Sequence, residues 1–251
     1  MLIFCRFMQP FSVVSLQTGM TENKENIYQQ GCVLLIDKPL RWTSFDVVRK
    51  VRNLVKAKTG HAGTLDPLAS GLLILCTGRF TRKISEYQKQ EKEYTATFTL
   101  GAVTPTYDLE SAPEKFSSIE TLSEDQLRET ALQFTGPQMQ VPPAHSAIKR
   151  QGKPLYELAR KGVDVQPDPR PIEIFEFEVT GIRLPEVDVR VVCSTGTYIR
   201  SLAHDFGQAL GCGAYLSALC RTRIGTFTLH DAISVEQLAE KYAKEKEAQK
   251  G

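Results

Sequence analysis

The chain lacks any apolar run long enough to cross a membrane, since none approaches the roughly 20 apolar residues that a spanning helix needs. Its N-terminus is mildly apolar, but Arg6, Gln9, Pro10 and Gln17 interrupt it and no clear cleavage site follows. A degenerate signal peptide is the alternative interpretation. We therefore expect a cytoplasmic protein without a membrane partner, in which residues 1–30 are a disordered tail.

Metal-ligand and disulfide patterns are also missing. The six cysteines include no Cys-x-x-Cys pair, and the four histidines are scattered along the chain. Cys76 and Cys193 lie in apolar runs, where a thiol usually serves as a small core residue. These patterns argue against a zinc site and favour a reducing compartment such as the cytosol.

Three common enzyme motifs are absent as well. The chain has no Gly-x-x-x-x-Gly-Lys-Ser/Thr phosphate loop and no strand-borne Gly-x-Gly-x-x-Gly dinucleotide fingerprint. Ser70 does not stand in the Gly-x-Ser-x-Gly turn of serine hydrolases. What remains for chemistry is a small set of Asp, Tyr and Arg residues, so we expect no cofactor.

The most informative segment present is Gly60–Gly71, which places one carboxylate, Asp66, in a glycine-rich loop braced by Pro67. An apolar run follows at once and predicts a buried strand. Glycine and proline at this density indicate a specially shaped backbone, and loops on rigid scaffolds carry many catalytic residues. Taken alone, the Asp-Pro pair also fits an Asx-turn without a function.

Charge is distributed unevenly, although the net charge is only +2. Residues 38–92 contain 12 Lys/Arg and 4 Asp/Glu, whereas residues 101–135 contain 2 and 7. A basic segment of this kind is either a solvated surface or a binding surface for a polyanion, because Lys and Arg release counterions from phosphates. The asymmetry favours nucleic acid as a partner without establishing it.

Hydrophobic periodicity predicts the secondary structure. The predicted strands are Val33–Ile36, Leu72–Cys76, Tyr94–Leu100, Ile172–Ile182 and Val187–Cys193. The predicted helices are Phe45–Val55 with Phe45 on its apolar stripe, Thr81–Gln88, Ser123–Phe134, Leu155–Arg160, one from Thr197 to Gly211, and a last one capped by Ser234. Because the strands are long and the helices do not alternate with them, we expect an α+β fold around a large, mostly antiparallel sheet flanked by helices.

One segment stands apart from this pattern. Residues 136–170 hold six of the thirteen prolines and a basic run, so we expect them to project from the rest of the protein. We predict one domain over residues 31–235 with this segment inserted. Residues 236–251 then add a C-terminal helix and a charged tail.

Several short sequence blocks occur in a fixed order between about residues 31 and 230. They are Asp37-Lys38-Pro39 with Thr43-Ser44, the loop Gly60–Gly71, Lys92-Glu93-Tyr94, Pro142-Pro143 with Ser146-Ala147 and Gly152-Lys153, Cys193–Arg200, and Leu219-x-Arg221-Thr222. In this order and spacing they resemble the motifs of the tRNA pseudouridine-55 synthases, the TruB family. Each block alone is only moderately specific, whereas their common order is strong.

The resemblance implies a pseudouridine synthase catalytic fold in which residues 136–170 grip the RNA substrate. It also implies that uridine 55 in the T loop of tRNA becomes pseudouridine: the N-glycosidic bond breaks, the uracil turns, and a bond to C5 forms. The expected partner is the T arm of tRNA, with no cofactor, no obligate protein partner and a monomeric enzyme. Two alternatives stay open, namely the same chemistry on another RNA and a tRNA-folding helper without catalysis.

The resemblance also implies the catalytic residues. Asp66 stands at the nucleophile position, where a carboxylate would attack the sugar or the base. Arg200 is expected to hold Asp66 ionised and oriented through a charge-assisted pair, and Tyr198 is a candidate for proton transfer at C5. The alternatives are a surface guanidinium for Arg200 and a packing role for Tyr198.

Four further residues are expected to bind the substrate. Tyr94 would stack on the extruded uracil, Leu219 would line its pocket, and His61 would fill the space that the flipped nucleotide leaves. Without the resemblance, a strand tyrosine, a core leucine and a loop histidine would explain these three. Lys38 lies near the site as either a structural residue or a phosphate contact.

The chain departs from the family pattern at two points. His145 replaces the Tyr or Phe that usually precedes the Ser-Ala pair, so an imidazole stands where an aromatic contact with RNA is expected. Only 28 residues follow Arg223, and we therefore expect no C-terminal RNA-binding domain of the PUA type. The catalytic domain, its basic surface and the 136–170 insertion would then recognise tRNA unaided.

Overall fold

The computed structural model describes residues 26–144, 149–150, 153–154 and 167–248. His145 and the helix predicted over Leu155–Arg160 lie outside the described residues. In the part of the chain that is described, no helix is long and apolar enough to cross a membrane.

Helices and strands follow one another irregularly along the chain. The α-helices are α1 (Ile27–Gln30), α2 (Ser44–Val55), α3 (Ile84–Gln88), α4 (Glu124–Gln133), α5 (Ile199–Ala209) and α6 (Val235–Ala248). The strands are β1 (Val33–Lys38), β2 (Thr59–His61), β3 (Ala69–Thr77), β4 (Lys92–Leu100), β5 (Gly136–Gln140), β6 (Lys149–Arg150), β7 (Lys153–Pro154), β8 (Arg170–Arg183), β9 (Glu186–Cys193), β10 (Ala214–Ile224) and β11 (Phe227–Thr228). The five predicted strands are confirmed, and each lies within one of β1, β3, β4, β8 and β9.

One large sheet organises the described residues. Its strands lie in the order β1-β3-β10-β4-β9-β8-β5, while β2 pairs with β3 and β11 pairs with β10. Along this path the neighbours are antiparallel except β3 and β10, which run parallel. The expected α+β fold around a mostly antiparallel sheet is therefore confirmed.

The strand β10 was not predicted from the sequence. Its pairing with β4 shifts register at two places, and its buried residues, Ala214, Leu216, Arg221 and Ile224, do not keep a period of two. Leu219 of this strand pairs with Ala69 of β3 on one side and with Ala96 of β4 on the other. The strand thus joins the start of β3, which follows the Asp66 loop, to the start of β4, which carries Tyr94.

Two helix pairs cover separate parts of the sheet. The helices α4 and α5 pack with β4, β8, β9 and β10 around Phe98, Phe177 and Phe206. The helices α2 and α6 pack on β1 and β3 around Val51 and Leu73. Burying an apolar side chain of this size stabilises the fold by roughly 1.5–3 kcal/mol relative to leaving it exposed. The packing of these two clusters therefore holds the ends of β3 and α5 in place.

The helix α2 begins with a capping box. The Thr43 hydroxyl accepts from the Asp46 amide at 3.0 Å, and the Asp46 carboxylate accepts from the Thr43 amide at 3.1 Å. The buried side chains of the helix are Val47, Val48, Val51 and Val55, together with Ser44. The predicted place of Phe45 on this stripe is wrong, because Phe45 is 60% exposed and lies about 120° around the helix from Val51.

Residues 26–30, which were predicted to belong to a disordered tail, are structured. The side chain of Asn26 caps α1 by accepting from the Tyr28 amide at 3.0 Å. Tyr28 is buried against Tyr242 of α6, with ring centroids 5.7 Å apart, and its hydroxyl donates to Glu245 at 3.1 Å. This contact joins residues more than 200 positions apart, so no local sequence pattern could predict it.

Two predicted helix boundaries are also corrected. The helix expected over Thr81–Gln88 is a 3₁₀ helix over Gly78–Lys83 and becomes α-helical only from Ile84. The helix expected from Thr197 begins at Ile199, because the Thr197 hydroxyl instead donates to the Ser194 carbonyl in the preceding turn.

Candidate active site

Arg221 of β10 holds the loop that carries Asp66. Its side chain is fully buried and donates hydrogen bonds to the carbonyls of Leu72 (2.8 Å), Gly63 (3.1 Å) and Thr64 (3.4 Å). A buried guanidinium requires acceptors of this kind, because an unpaired buried charge is very costly. The loop is thereby tied to the centre of the sheet.

Gly71 allows β3 to approach β10 at the same place. Its φ is +99°, a left-handed value that favours glycine, and a Cβ atom here would lie 2.4 Å from the Arg221 carbonyl oxygen. A side chain does not fit in that space. The last glycine of the loop motif therefore serves the close approach of two backbones.

The Asp66 carboxylate is paired with Arg200, the second residue of α5. Nε of Arg200 lies 2.9 Å from Oδ2 of Asp66. The Arg200 side chain is 5% exposed and that of Asp66 is 36% exposed, so the cation lies buried behind a carboxylate that still reaches solvent. A charge-assisted contact of this geometry orients the carboxylate.

Asp108 extends the ion pair to three charged groups. Its Oδ2 lies 3.6 Å from Nη1 of Arg200, which also donates to the Thr106 carbonyl at 3.3 Å. The Asp108 side chain is 4% exposed. Because the guanidinium is planar and contacts acceptors on two edges, its orientation toward Asp66 is set before any substrate binds.

Asp66 opens into a cleft of about 330 Å³, near the lower end of the range for small-molecule sites. The cleft is lined by Gly63, Thr64, Leu65, Asp66, Gln88, Lys92, Tyr94, Ser194–Arg200, Leu219 and Arg221. Five predicted site residues therefore meet here, namely Asp66, Arg200, Tyr198, Tyr94 and Leu219. They come from four separate segments of the sequence, which the β3-β10-β4 arrangement brings together.

Tyr198 is held at the cleft by the side chain of Gln140. The Gln140 amide group accepts from the Tyr198 amide at 2.8 Å and donates to the Tyr198 carbonyl at 3.0 Å. Gln140 is 3% exposed, so water does not compete for these bonds. The pair of bonds fixes the backbone directly before α5, and with it the start of the helix that carries Arg200.

Tyr94 and Lys92 form the wall of the cleft on β4. Burial raises the pKa of the Tyr94 phenol, and the Arg221 charge opposes this shift. Burial and the nearby Arg221 lower the pKa of Lys92 to about 8. The Lys92 ammonium donates to the carbonyls of Gln88 and Gln90. This wall therefore presents an aromatic ring and a basic group side by side.

His61 and Lys38, the other two predicted site residues, do not line the cleft. His61 pairs with Leu75 in the sheet, and burial lowers its pKa; its expected role toward a flipped nucleotide stays a prediction. Lys38 is 0% exposed, and its ammonium donates to the carbonyls of Trp42 at 2.6 Å and Pro39 at 3.1 Å. This burial and these two bonds favour the structural alternative for Lys38, and its role stays a prediction.

Four residues of the site were not predicted. Arg221 and Lys92 stand inside the sequence blocks quoted above, so a signal was present for both. Asp108 and Gln140 carried no such signal, because an acid in an acidic segment and a glutamine in a proline-rich one resemble surface residues. Both acquire a role only when folding buries them against the start of α5.

The groups that face the cleft define its chemistry. They include the Asp66 carboxylate, two guanidinium groups, the Lys92 ammonium and two phenols. Groups of these kinds are able to support nucleophilic attack, charge pairing, stacking and proton transfer. Among the residues that the structure describes, no three His, Cys, Asp or Glu side chains form a group that could hold a metal ion.

Comparison with known families agrees with this geometry. Residues 50–199 match the family model described as "TruB family pseudouridylate synthase (N terminal domain)". The chain belongs to the TruB family. Residues 200–250 match a second TruB model, described as "tRNA pseudouridylate synthase B C-terminal domain". That second region includes α5 and β10, so in this fold both matched regions share one sheet.

Curated TruB relatives resemble the chain over nearly their whole length. The tRNA pseudouridine synthase B of Flavobacterium johnsoniae is 53% identical over 216 residues, which are 83% of this chain and 94% of that protein. The tRNA pseudouridine synthase B of Phocaeicola vulgatus is 48% identical over 220 residues, which are 85% of this chain and 94% of that protein.

A solved structure shares the fold. A chain in the crystal structure of a Cbf5-Nop10-Gar1 complex is 32% identical, with a TM-score of 0.70. The match covers 88% of this chain and 57% of that one, so this chain spans little more than half the length of its structural neighbour. The pseudouridine synthase fold implied by the TruB resemblance is confirmed.

Proposed function

We propose that this chain isomerises uridine 55 in the T loop of tRNA to pseudouridine, with Asp66 as the nucleophile. The observation that carries the proposal is the Asp66–Arg200 ion pair at the mouth of a cleft lined by Tyr94, Tyr198 and Leu219. The proposal is supported by relatives of about 50% identity that are tRNA pseudouridine synthases.

The reaction is an isomerisation, so its atoms balance within the substrate. The bond between C1′ and N1 breaks, a bond between C1′ and C5 forms, C5 loses its proton, and N1 gains one. Asp66 attacks either C1′ of the sugar or C6 of the base, and it leaves again when the new bond is complete. Arg200 keeps the carboxylate aligned from behind, where it does not block the path of attack.

The walls of the cleft handle the extruded base. Tyr94 provides a ring on which the uracil stacks, and Leu219 provides an apolar contact between Tyr94 and the nucleophile loop. Tyr198 takes the proton from C5. The buried cations Lys92, Arg200 and Arg221 outnumber the carboxylates of Asp66 and Asp108, which favours an anionic substrate such as RNA.

The choice of tRNA over another RNA rests on similarity. The chain is 53% identical to a tRNA pseudouridine synthase and 32% identical to a chain of the Cbf5 complex. Recognition of the T arm and action as a monomer belong to the same proposal.

A tritium-release assay tests both the chemistry and the position. The purified protein is mixed with an unmodified tRNA transcript labelled at uridine C5, and with a control transcript that carries cytidine at position 55. Release from the first transcript alone is expected. Release from both transcripts would mean that the enzyme acts on a uridine other than uridine 55. Release from neither, with tRNA binding intact, would favour a tRNA-folding helper.

Asp66→Asn separates catalysis from binding. We expect tritium release to disappear while tRNA affinity stays within about threefold, because the amide keeps the shape of the carboxylate but is a far weaker nucleophile. The affinity is measured by filter binding at fixed salt, since phosphate contacts make it salt-dependent. An unchanged isomerisation rate would remove Asp66 from the mechanism.

A further inference from the structure

One hydroxyl holds the residue that precedes the nucleophile. Oγ of Ser44 accepts from the Leu65 amide at 2.8 Å and donates to the Leu65 carbonyl at 3.1 Å. Ser44 is 2% exposed and Leu65 is 3% exposed, so water cannot replace either bond at low cost. Both backbone polar groups of Leu65 therefore bond to a side chain 21 residues earlier in the chain.

The residue that follows the nucleophile is held from the same segment. The Arg41 amide donates to the Pro67 carbonyl at 2.7 Å. Arg41 has a φ of 68°, a value that few residues with a side chain adopt. The buried Lys38 stabilises this turn from inside by its bond to the Trp42 carbonyl. Ser44 and the Arg41 backbone thus hold the loop on both sides of Asp66.

We propose that Ser44 is a positioning residue, which fixes the main chain at Asp66 for nucleophilic attack. The inference rests on the proposed function, because it takes Asp66 as the nucleophile. Ser44 does not line the cleft, so it acts through Leu65 and not on the RNA.

The helix α2 gives this contact its rigidity. Ser44 is the first residue of the helix, whose four buried valines anchor it in the core under β1 and β3. The helix therefore sets the position of the loop through one side chain. Without the hydroxyl, the backbone around Asp66 is free to shift relative to Arg200, and a displacement of about 1 Å costs roughly 100-fold in rate.

Ser44→Ala tests the proposal in the full chain. The change removes both hydrogen bonds and deletes only an oxygen atom. With unmodified tRNA, we expect kcat to fall by roughly 10–100-fold, while KM and the Kd for tRNA stay within about twofold. Ser44→Cys keeps the shape but bonds weakly, so its kcat should lie between those of the parent and Ser44→Ala. If Ser44→Ala does not fold, kcat and KM are measured on Ser44→Cys instead, where a fall in kcat with an unchanged KM supports the proposal and an unchanged kcat overturns it.

Thr43→Ala is the matched control. Thr43 is the neighbouring residue and caps the same helix through its bonds with Asp46, but none of these bonds reaches Leu65. We expect this variant to lower Tm and to leave kcat and KM unchanged well below that temperature. Equal losses of kcat in Thr43→Ala and Ser44→Ala would reduce Ser44 to a general stabilising role and overturn the proposal.

Two further results would also overturn it. One is a kcat for Ser44→Ala within about threefold of the parent, and the other is a loss that appears in KM instead of kcat. Asp66→Asn is assayed in parallel to separate the two proposals. If Asp66→Asn is inactive and Ser44→Ala is normal, only the role of Ser44 fails; if Asp66→Asn is fully active, the nucleophile assignment and the role of Ser44 fail together.

Discussion

Two buried arginines flank the Asp66 loop, and they differ in the groups that they contact. Arg200 meets the carboxylates of Asp66 and Asp108, whereas Arg221 donates to three backbone carbonyls of the loop and β3. Both side chains are almost fully buried. Burial of a cation beside the Asp66 loop therefore does not by itself indicate a catalytic role, because its partners decide whether it acts on the carboxylate or on the backbone.

The largest effect expected from this comparison is that of Arg200→Gln. It leaves Asp66 without its charged partner and Asp108 as an unpaired buried carboxylate, so kcat should fall by about 1,000-fold. Arg200→Lys should lose at least about 100-fold, because one ammonium cannot reproduce the planar contact with both carboxylates. The measurement is steady-state tritium release; normal kcat in Arg200→Lys would contradict the proposed role.

Arg221→Gln should act mainly on stability. Three carbonyls lose a buried donor, which costs about 1 kcal/mol each, so we expect the free energy of unfolding to fall by about 3 kcal/mol. Chemical denaturation measures this change, and kcat well below the melting temperature should fall less than in Arg200→Gln. If Arg221→Gln keeps its stability and loses about 1,000-fold in kcat, Arg221 acts on the reaction and not mainly on the backbone, and the distinction from Arg200 is wrong.

Asp205 of α5 differs from Asp66 and Asp108, which contact Arg200, because burial governs its pKa. Burial raises its pKa to about 6, so the folded protein holds the proton more tightly than the unfolded chain between about pH 4 and 6. The stability that this proton contributes is complete below about pH 4 and is lost as the pH rises through 6. Asp205→Asn should therefore raise the free energy of unfolding by on the order of 2 kcal/mol at pH 7. It should also weaken the dependence of that free energy on pH. If the free energy of unfolding depends on pH in the same way in the variant and the parent between pH 4 and 7, the effect of burial on Asp205 is excluded.

The smallest effect is expected for Arg190, an arginine on the solvated side of β9. Its guanidinium contacts Glu93, Glu176 and Glu178, and its side chain is 31% exposed. Exposed ion pairs are screened by water and salt, so Arg190→Gln should change the free energy of unfolding by less than about 1 kcal/mol and leave kcat unchanged. A loss as large as that of Arg221→Gln would mean that exposure does not weaken these pairs.

Helices and strands could be predicted where apolar residues recur with a regular period. The strand β4 alternates buried residues with more exposed ones from Lys92 to Leu100, as a period of two requires. The start of α2 was predicted to within one residue, at Phe45 instead of Ser44, although Phe45 was placed on the wrong side of the helix. The strand β10 was not predicted because its register with β4 shifts after Leu216 and after Arg221, and its buried residues include a charged one, Arg221.

Site residues were predictable where a motif marked them. Asp66 and Arg200 come from two blocks that are far apart in sequence, and the structure places them 2.9 Å apart. The roles of Arg221 and Lys38 followed only from their hydrogen bonds to carbonyls, because a basic residue in a motif looks the same whether it contacts phosphate or backbone. Asp108 became visible only through its contact with Arg200.

The sequence by itself determined the fold class, the TruB family and the position of the Asp66 loop as the candidate site, because these depend on local periodicity and on the order of motifs along the chain. Tertiary structure alone decided which residues around Asp66 act on the carboxylate and which hold the backbone. The physical reason is that a buried polar group is defined by the partner that satisfies it. For Arg200, Arg221 and Ser44, that partner lies at least 21 residues away and is reached only through the packing of α2, α5 and β10.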